Sequence, residues 1–266
     1  MLQKIKTLLT NISLCAIIVS CDGCGKNSTS IQEDALIPSI SLPSSIPLIP
    51  SPPPSITENN ICNSSSNMLI DAPRNPLSGT EISNNLLEMN RAAQNEFILR
   101  MAREGNIPNQ LRNLVAVSSQ NGTICVMPDY FALGTDDDYL RVPMTAFMAT
   151  EIANMYGMSL PTSTIVDDIY LQSDIQLAPI PMTPGAQMGS VQYYIRHNAL
   201  INTALSNRQG LVAGHKKDII RTLRDGRVTI YGWHRSNGNP IQPVSSIHAA
   251  SYYDYSHGLR LIMRIT

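Results

Sequence analysis

From Ser78 onward, apolar residues recur every three or four positions: Ile82, Leu86, Met89, Ala93, Phe97 and Met101. That spacing keeps them on one face of an α-helix. Ser78, with Glu81 three residues on, forms a capping box at its start, and Gly105 and Pro108 end it. One continuous helix is expected over the whole run. Residues 114–118 and 123–127 read as two strands joined through Asn121-Gly122. Helical spacing returns at about 145–156 and stops at Gly157. It returns again after Pro161, where Thr162 is an N-cap and Ile165, Val166, Ile169 and Tyr170 share a side. A proline-rich loop over 178–189 precedes a last helix, from about Ser190 to Asn207.

Beyond Gly210 the pattern changes to short strand-like runs at 211–213, 218–223, 227–233, 249–255 and 259–265. Gly226, Asn237-Gly238-Asn239-Pro240 and Gly258 supply the turns. Helices first and strands later predict an α+β fold. Its N-terminal half is helical with one early hairpin, and its C-terminal half is mainly antiparallel sheet. The domain spans residues 67–266 as a single globular unit.

The N-terminus has a different texture. Lys4 and Lys6 precede an apolar run over 8–19 that is short for a membrane span and right for a signal peptide. The run ends in Ile18-Val19-Ser20-Cys21, which resembles the bacterial lipobox. The resemblance implies removal of residues 1–20, lipid on Cys21 and membrane anchoring outside the cytoplasm. Several acyl chains, each methylene worth about 0.8 kcal/mol, make such an anchor stable. Residues 21–66 include SLPSSIPLIPSPPPSITENN. Proline at that density excludes helix and sheet, so the segment reads as a lipidated tether of polyproline character.

Net charge is −1, so neither a nucleic-acid partner nor a polybasic membrane surface is implied, and no nucleic acid is expected. Aromatic residues are only 5%, so the core must rest on aliphatic and methionine packing. Of five cysteines, Cys15 leaves with the signal and Cys21 is the lipid site. Cys24, Cys62 and Cys125 remain, and in an oxidising compartment Cys62 and Cys125 could pair. Neither has a Cys-x-x-Cys partner, which argues against a thiolate zinc site.

All five histidines fall in the last seventy residues. His197 sits on the last helix. His215 lies in GHKKD, His234 in YGWHRSNG, and His248 and His257 in IHAASYYDYSHGLRL, with Asp254 three residues before His257. Each block lies at or beside the end of an expected strand, where a sheet gathers side chains into a cleft. His234, His248, His257 and Asp254 are the catalytic candidates, with at least two of the three rings expected to converge. His215, Lys216, Lys217, Arg235 and Arg260 are candidates for holding an anionic group such as a carboxylate. Three chemistries compete. Zinc would take its ligands from His215, His234, His248, Asp254 and His257, although no His-Glu-x-x-His spacing is present. Metal-free acid–base catalysis would use histidine near its own pKa. Structural histidines would need no site at all. Strand alternation sets Asp254 and Ser256 on the face opposite Tyr253, Tyr255 and His257.

The blocks LPTSTIVDDIY, GHKKD, YGWH and DYSHGLRL resemble a group of secreted bacterial proteins to which no activity is attached. The six residues from Ser256 to Leu261 are also similar to the SHGC block of L,D-transpeptidases, which crosslink peptidoglycan through a cysteine. Here Leu259 occupies the nucleophile's position, and Arg235 follows His234 where those enzymes have glycine. Leucine forms no acyl-enzyme, so that route is closed. The expected function is a lipid-anchored extracytoplasmic hydrolase of an envelope polymer such as peptidoglycan. The alternatives are a non-catalytic glycan- or peptide-binding lipoprotein and a structural envelope protein.

Overall fold

The computed structural model describes Cys62, residues 70–221 and residues 224–265. The signal segment, Cys21 and, apart from Cys62, the tether lie outside the described residues. Within them the chain is α+β, with five α-helices and mainly antiparallel sheets.

The expected first helix is two helices, α1 (Gly79–Leu87) and α2 (Arg91–Arg103). The Ser78–Glu81 capping box forms as the spacing requires. The break comes from Asn90, whose side chain accepts a hydrogen bond from Ala93 N and starts a new helix. Gln94 Nε2 donates to the carbonyls of Leu86 and Met89 at 3.0 and 2.9 Å, so the end of α1 is satisfied as well. A break with both ends satisfied costs little, and the apolar period runs through it unchanged.

The early hairpin pairs β1 (Val115–Ser119) with β2 (Gly122–Val126). Ser119 faces Gly122, so Gln120 and Asn121 form the loop rather than Asn121-Gly122, and Gly122 takes φ 103°. A disulfide joins Cys62 to Cys125 of β2, and both are fully buried. A short hairpin not expected from the sequence follows, β3 (Ala132–Gly134) with β4 (Tyr139–Arg141).

α3 (Ala146–Met155) and α4 (Ser163–Gln172) are capped by Thr145 and Thr162, each accepting from the amide three residues on. β5 (Ile175–Gln176) is also new. It pairs in parallel with β6 (Val212–Ala213), across α5 (Val191–Leu205), which Ser190 caps.

The C-terminal sheet runs β10-β7-β8-β9. β7 (Lys217–Ile220) and β8 (Thr229–His234) are antiparallel. Two corrections arise here. Pro240–Ser245, expected as a turn and its sequel, is an edge strand, β9. Its two prolines argue against a central strand, but an edge strand needs no donor on its outer side. Conversely, 249–255 is not a strand; only Ala249 bridges to Arg227. Instead β10 (His257–Gly258) joins β7 in parallel, with His257 opposite Lys217. The last strand, β11 (Ile262–Arg264), leaves this sheet and pairs with β2. The main core holds methionines, aliphatics and tyrosines, including Met101, Met144, Ile152, Tyr253 and Tyr255. Among the described residues no helix is long and apolar enough to cross a membrane.

Candidate functional site

The segment expected as a strand is a turn, and the turn decides the chemistry. His257 N donates to Asp254 O at 3.1 Å, closing a four-residue turn. On a strand these two side chains would face opposite ways. In the turn they face each other, with His257 Nε2 4.0 Å from Asp254 Oδ2. That is an ion-pair separation and too long for a hydrogen bond. The Asp254 carboxylate is held elsewhere. Its Oδ1 accepts from Ser256 Oγ at 2.6 Å and Ser256 N at 2.8 Å, and its Oδ2 accepts from Tyr252 Oη at 3.0 Å. Ser256 therefore positions the carboxylate and does not pair with a histidine.

Tyr252 is the hub. The His248 ring stacks on it at 4.1 Å, and the His257 ring meets its edge at 5.7 Å. His248 and His257 thus flank one ring. Tyr252 and His248 also wall a groove of about 570 Å³. His257 sits behind that wall, 1% exposed, and neither of its ring nitrogens has a hydrogen-bond partner. Burial pushes its pKa down to about 4 against the attraction of Asp254, so the ring is neutral near pH 7. Tyr252 is pushed up to about 12, first by burial and then by Asp254, and stays protonated.

On the neighbouring strand β7, Lys217, the register partner of His257, holds its Nζ 5.0 Å over the Trp233 ring. Trp233 takes φ +57°, a left-handed conformation that is rare for a bulky residue. Its indole Nε1 is buried without a partner. Such strain costs on the order of 1–3 kcal/mol and tends to collect at functional sites.

The third candidate ring belongs to a different cluster. His234 Nε2 donates to Asp167 Oδ1 at 2.9 Å, its ring stacks on Tyr170 at 4.4 Å, and Tyr231 Oη shares the same carboxylate. None of these partners contacts His248 or His257 among the described residues. Asp167 and Tyr170 lie on α4, far away in sequence, so no local pattern ties them to His234.

The expected anion binders separate in the same way. Arg260 is fully buried, donating to Met127 O and Val212 O with its guanidinium 4.4 Å over Tyr130. Lys216 is also buried, donating to Tyr255 O at 2.6 Å, with its Nζ 3.1 Å from His197 Nδ1. Burial, reinforced by Arg141, lowers it to about 7. His215 lies 3.2 Å from Asp129, inside a buried network with Arg141. These three hold the fold together and present no charge to a groove. Arg235 is an exposed turn residue whose carbonyl accepts from Tyr170 Oη. Among the described residues no three His, Cys, Asp or Glu side chains gather as a metal site would require.

The buried histidines set a pH dependence. Burial lowers His215 to about 4 and, with Lys216 as the second cause, His197 to about 2; His257 is lowered as well. An unfolded histidine titrates near 6.5. Between about pH 4 and 6.5 the unfolded chain therefore binds more protons, and stability falls as pH drops through that window. Asp218 opposes this. Burial raises it to about 6, so the folded chain binds the extra proton between its ordinary 3.8 and 6. Three histidines outweigh one carboxylate. Urea unfolding at pH 5 is expected to give a stability at least about 1 kcal/mol below that at pH 7. An equal or higher value at pH 5 would mean that these rings are protonated in the folded protein.

No family model, curated protein or solved structure matches the chain.

Proposed function

We propose that this chain is an extracytoplasmic protein, tethered by lipid on Cys21, that hydrolyses an envelope polymer such as peptidoglycan at the groove walled by His248 and Tyr252. One observation carries the reading. His257 is a buried imidazole with two unpartnered nitrogens beside a carboxylate that Ser256 and Tyr252 hold in place. Buried polar atoms are nearly always satisfied within the fold. His215 is left the same way but lies 3.2 Å from Asp129 in a buried network. His257 instead stands behind the wall of an open groove, which supports a role there beyond stability. Trp233, held in a left-handed conformation on β8 of the same sheet, two strands away, is a second departure from relaxed geometry that supports the reading.

The roles follow from position. His248 faces the groove and is the group able to touch the polymer as acid or base. Tyr252 orients His248 by stacking and donates a hydrogen bond from its hydroxyl to Asp254. Asp254 and His257 are positioning residues behind that wall, fixing the ring and the local charge. The buried Cys62–Cys125 disulfide supports an oxidising location.

The test measures soluble fragments released from purified envelope. His248→Ala should slow release at least tenfold while the urea midpoint stays within error of wild type. An unchanged rate would remove the groove from the chemistry. Incorporation of a fatty-acid probe by wild type and not by Cys21→Ala checks the anchor. The burial of His257 favours a second reading, non-catalytic glycan or peptide binding in the same groove. Wild-type protein that sediments with sacculi and releases no fragments decides for it.

A further inference from the structure

The groove beside His248 carries an arginine that no role so far explains. Arg91 lines it together with the His248–Tyr252 stack. Its guanidinium is held in one plane. Cζ lies 4.0 Å over the Tyr253 ring, and Nη1 donates to Tyr194 Oη at 2.9 Å. Tyr194 in turn donates to Gly189 O. Gly189 leaves the room that this placement needs, since a Cβ there would come within 2.8 Å of Arg91 Nη2.

The exposed Arg91 is held by Tyr194 and Tyr253, but among the described residues no ion pair calls for a cation here. Arg91 is the first residue of α2, where the helix dipole disfavours positive charge. Among the described residues it has no carboxylate within ion-pair distance. No aspartate or glutamate lines the groove, and Arg91 is its one permanently charged residue. The remaining wall is aromatic, aliphatic or small: the His248–Tyr252 stack, the exposed Ile247, Met188 and the backbone around Gly185 and Gly189.

We infer that Arg91 reads a carboxylate on the polymer that fills this groove, while the stacked rings and Ile247 pack against its apolar faces. The inference rests on the proposed envelope-polymer reading and adds the chemical class of the ligand. A guanidinium already fixed over a ring loses little freedom on binding, and with Nη1 on Tyr194 its remaining N–H groups suit a carboxylate. A neutral glycan would leave that charge unmatched in the groove.

The experiment is co-sedimentation of the full chain with two preparations of sacculi, one native and one with its carboxylates converted to amides. Wild type should bind native sacculi at least tenfold more tightly. Arg91→Gln should bind native sacculi as weakly as wild type binds the amidated form, with no further loss on amidation. Arg91→Lys should recover part of the discrimination, which loss of packing against Tyr253 would not produce. The wild-type comparison needs no substitution and stands even where a variant is poorly folded. Wild type that binds both preparations equally overturns the carboxylate assignment and leaves the polymer reading intact. Wild type that binds neither overturns the polymer reading itself.

Discussion

Arg141→Met should lower the stability of the folded protein by about 3–5 kcal/mol. The arginine is 1% exposed and lies at the centre of a buried polar network. Its Nη2 and Nε donate to Asp129 Oδ2 at 2.5 and 3.0 Å. Its Nη1 donates to Asn198 and Asn202 of α5 at 3.0 and 2.7 Å. Burial alone would raise the Asp129 carboxyl, but Arg141 and then His215 hold it well below the usual carboxylate range. Without the arginine an ionised carboxylate is left inside the protein, and the penalty is that of an unpaired buried charge. The double variant Arg141→Met with Asp129→Leu should be more stable than Arg141→Met alone, because it leaves no orphan charge. Denaturant unfolding of wild type and both variants measures this. A loss below about 1 kcal/mol for the single variant would show that His215 alone can carry Asp129.

The second large effect is on the disulfide. Cys62 and Cys125 are 63 residues apart in sequence, and a crosslink closing a loop of that length restrains the unfolded chain by about 4 kcal/mol. Both sulfurs are buried in the main core, where Cys125 belongs to the central strand of the β1-β2-β11 sheet. Cys62→Ala with Cys125→Ala, or reduction of wild type, should lower the denaturation midpoint by a corresponding amount. For a domain whose total stability is on the order of 5–15 kcal/mol, that is a large share. The protein would then be markedly less stable in a reducing cytosol than outside it. A midpoint unmoved by reductant would detach the fold from its redox compartment.

Both effects involve residues with very different visibility in the chain. Cys62 and Cys125 are legible as a pair because few other thiols remain beyond the expected signal segment and lipid site. Asp129 and Arg141 carried no such mark. Neither stands in a motif, and His215, which joins them, sits in GHKKD among residues that look like a surface anion site. Tyr252 and Asp254 are two residues apart in sequence, yet alternation along an expected strand turns His257 away from the carboxylate that it faces in the folded protein.

What the sequence determined by itself was local. Ser78, Thr145, Thr162 and Ser190 each cap a helix by accepting a hydrogen bond from the amide three residues on, so their effect is readable within one turn of chain. The apolar period located the helices, and Gly157 and Gly122 marked points where only a left-handed backbone continues the path. The tertiary structure alone decided the rest. Pro240–Ser245 became a strand because β8 offered an edge, and His257 met Lys217 because β10 found β7. Arg91 reached the groove because Tyr194 and Tyr253, about a hundred and more residues further on, pinned it there. Those pairings are set by the packing of distant segments, whose free energy depends on what surface meets what, and no short-range pattern of residues encodes it.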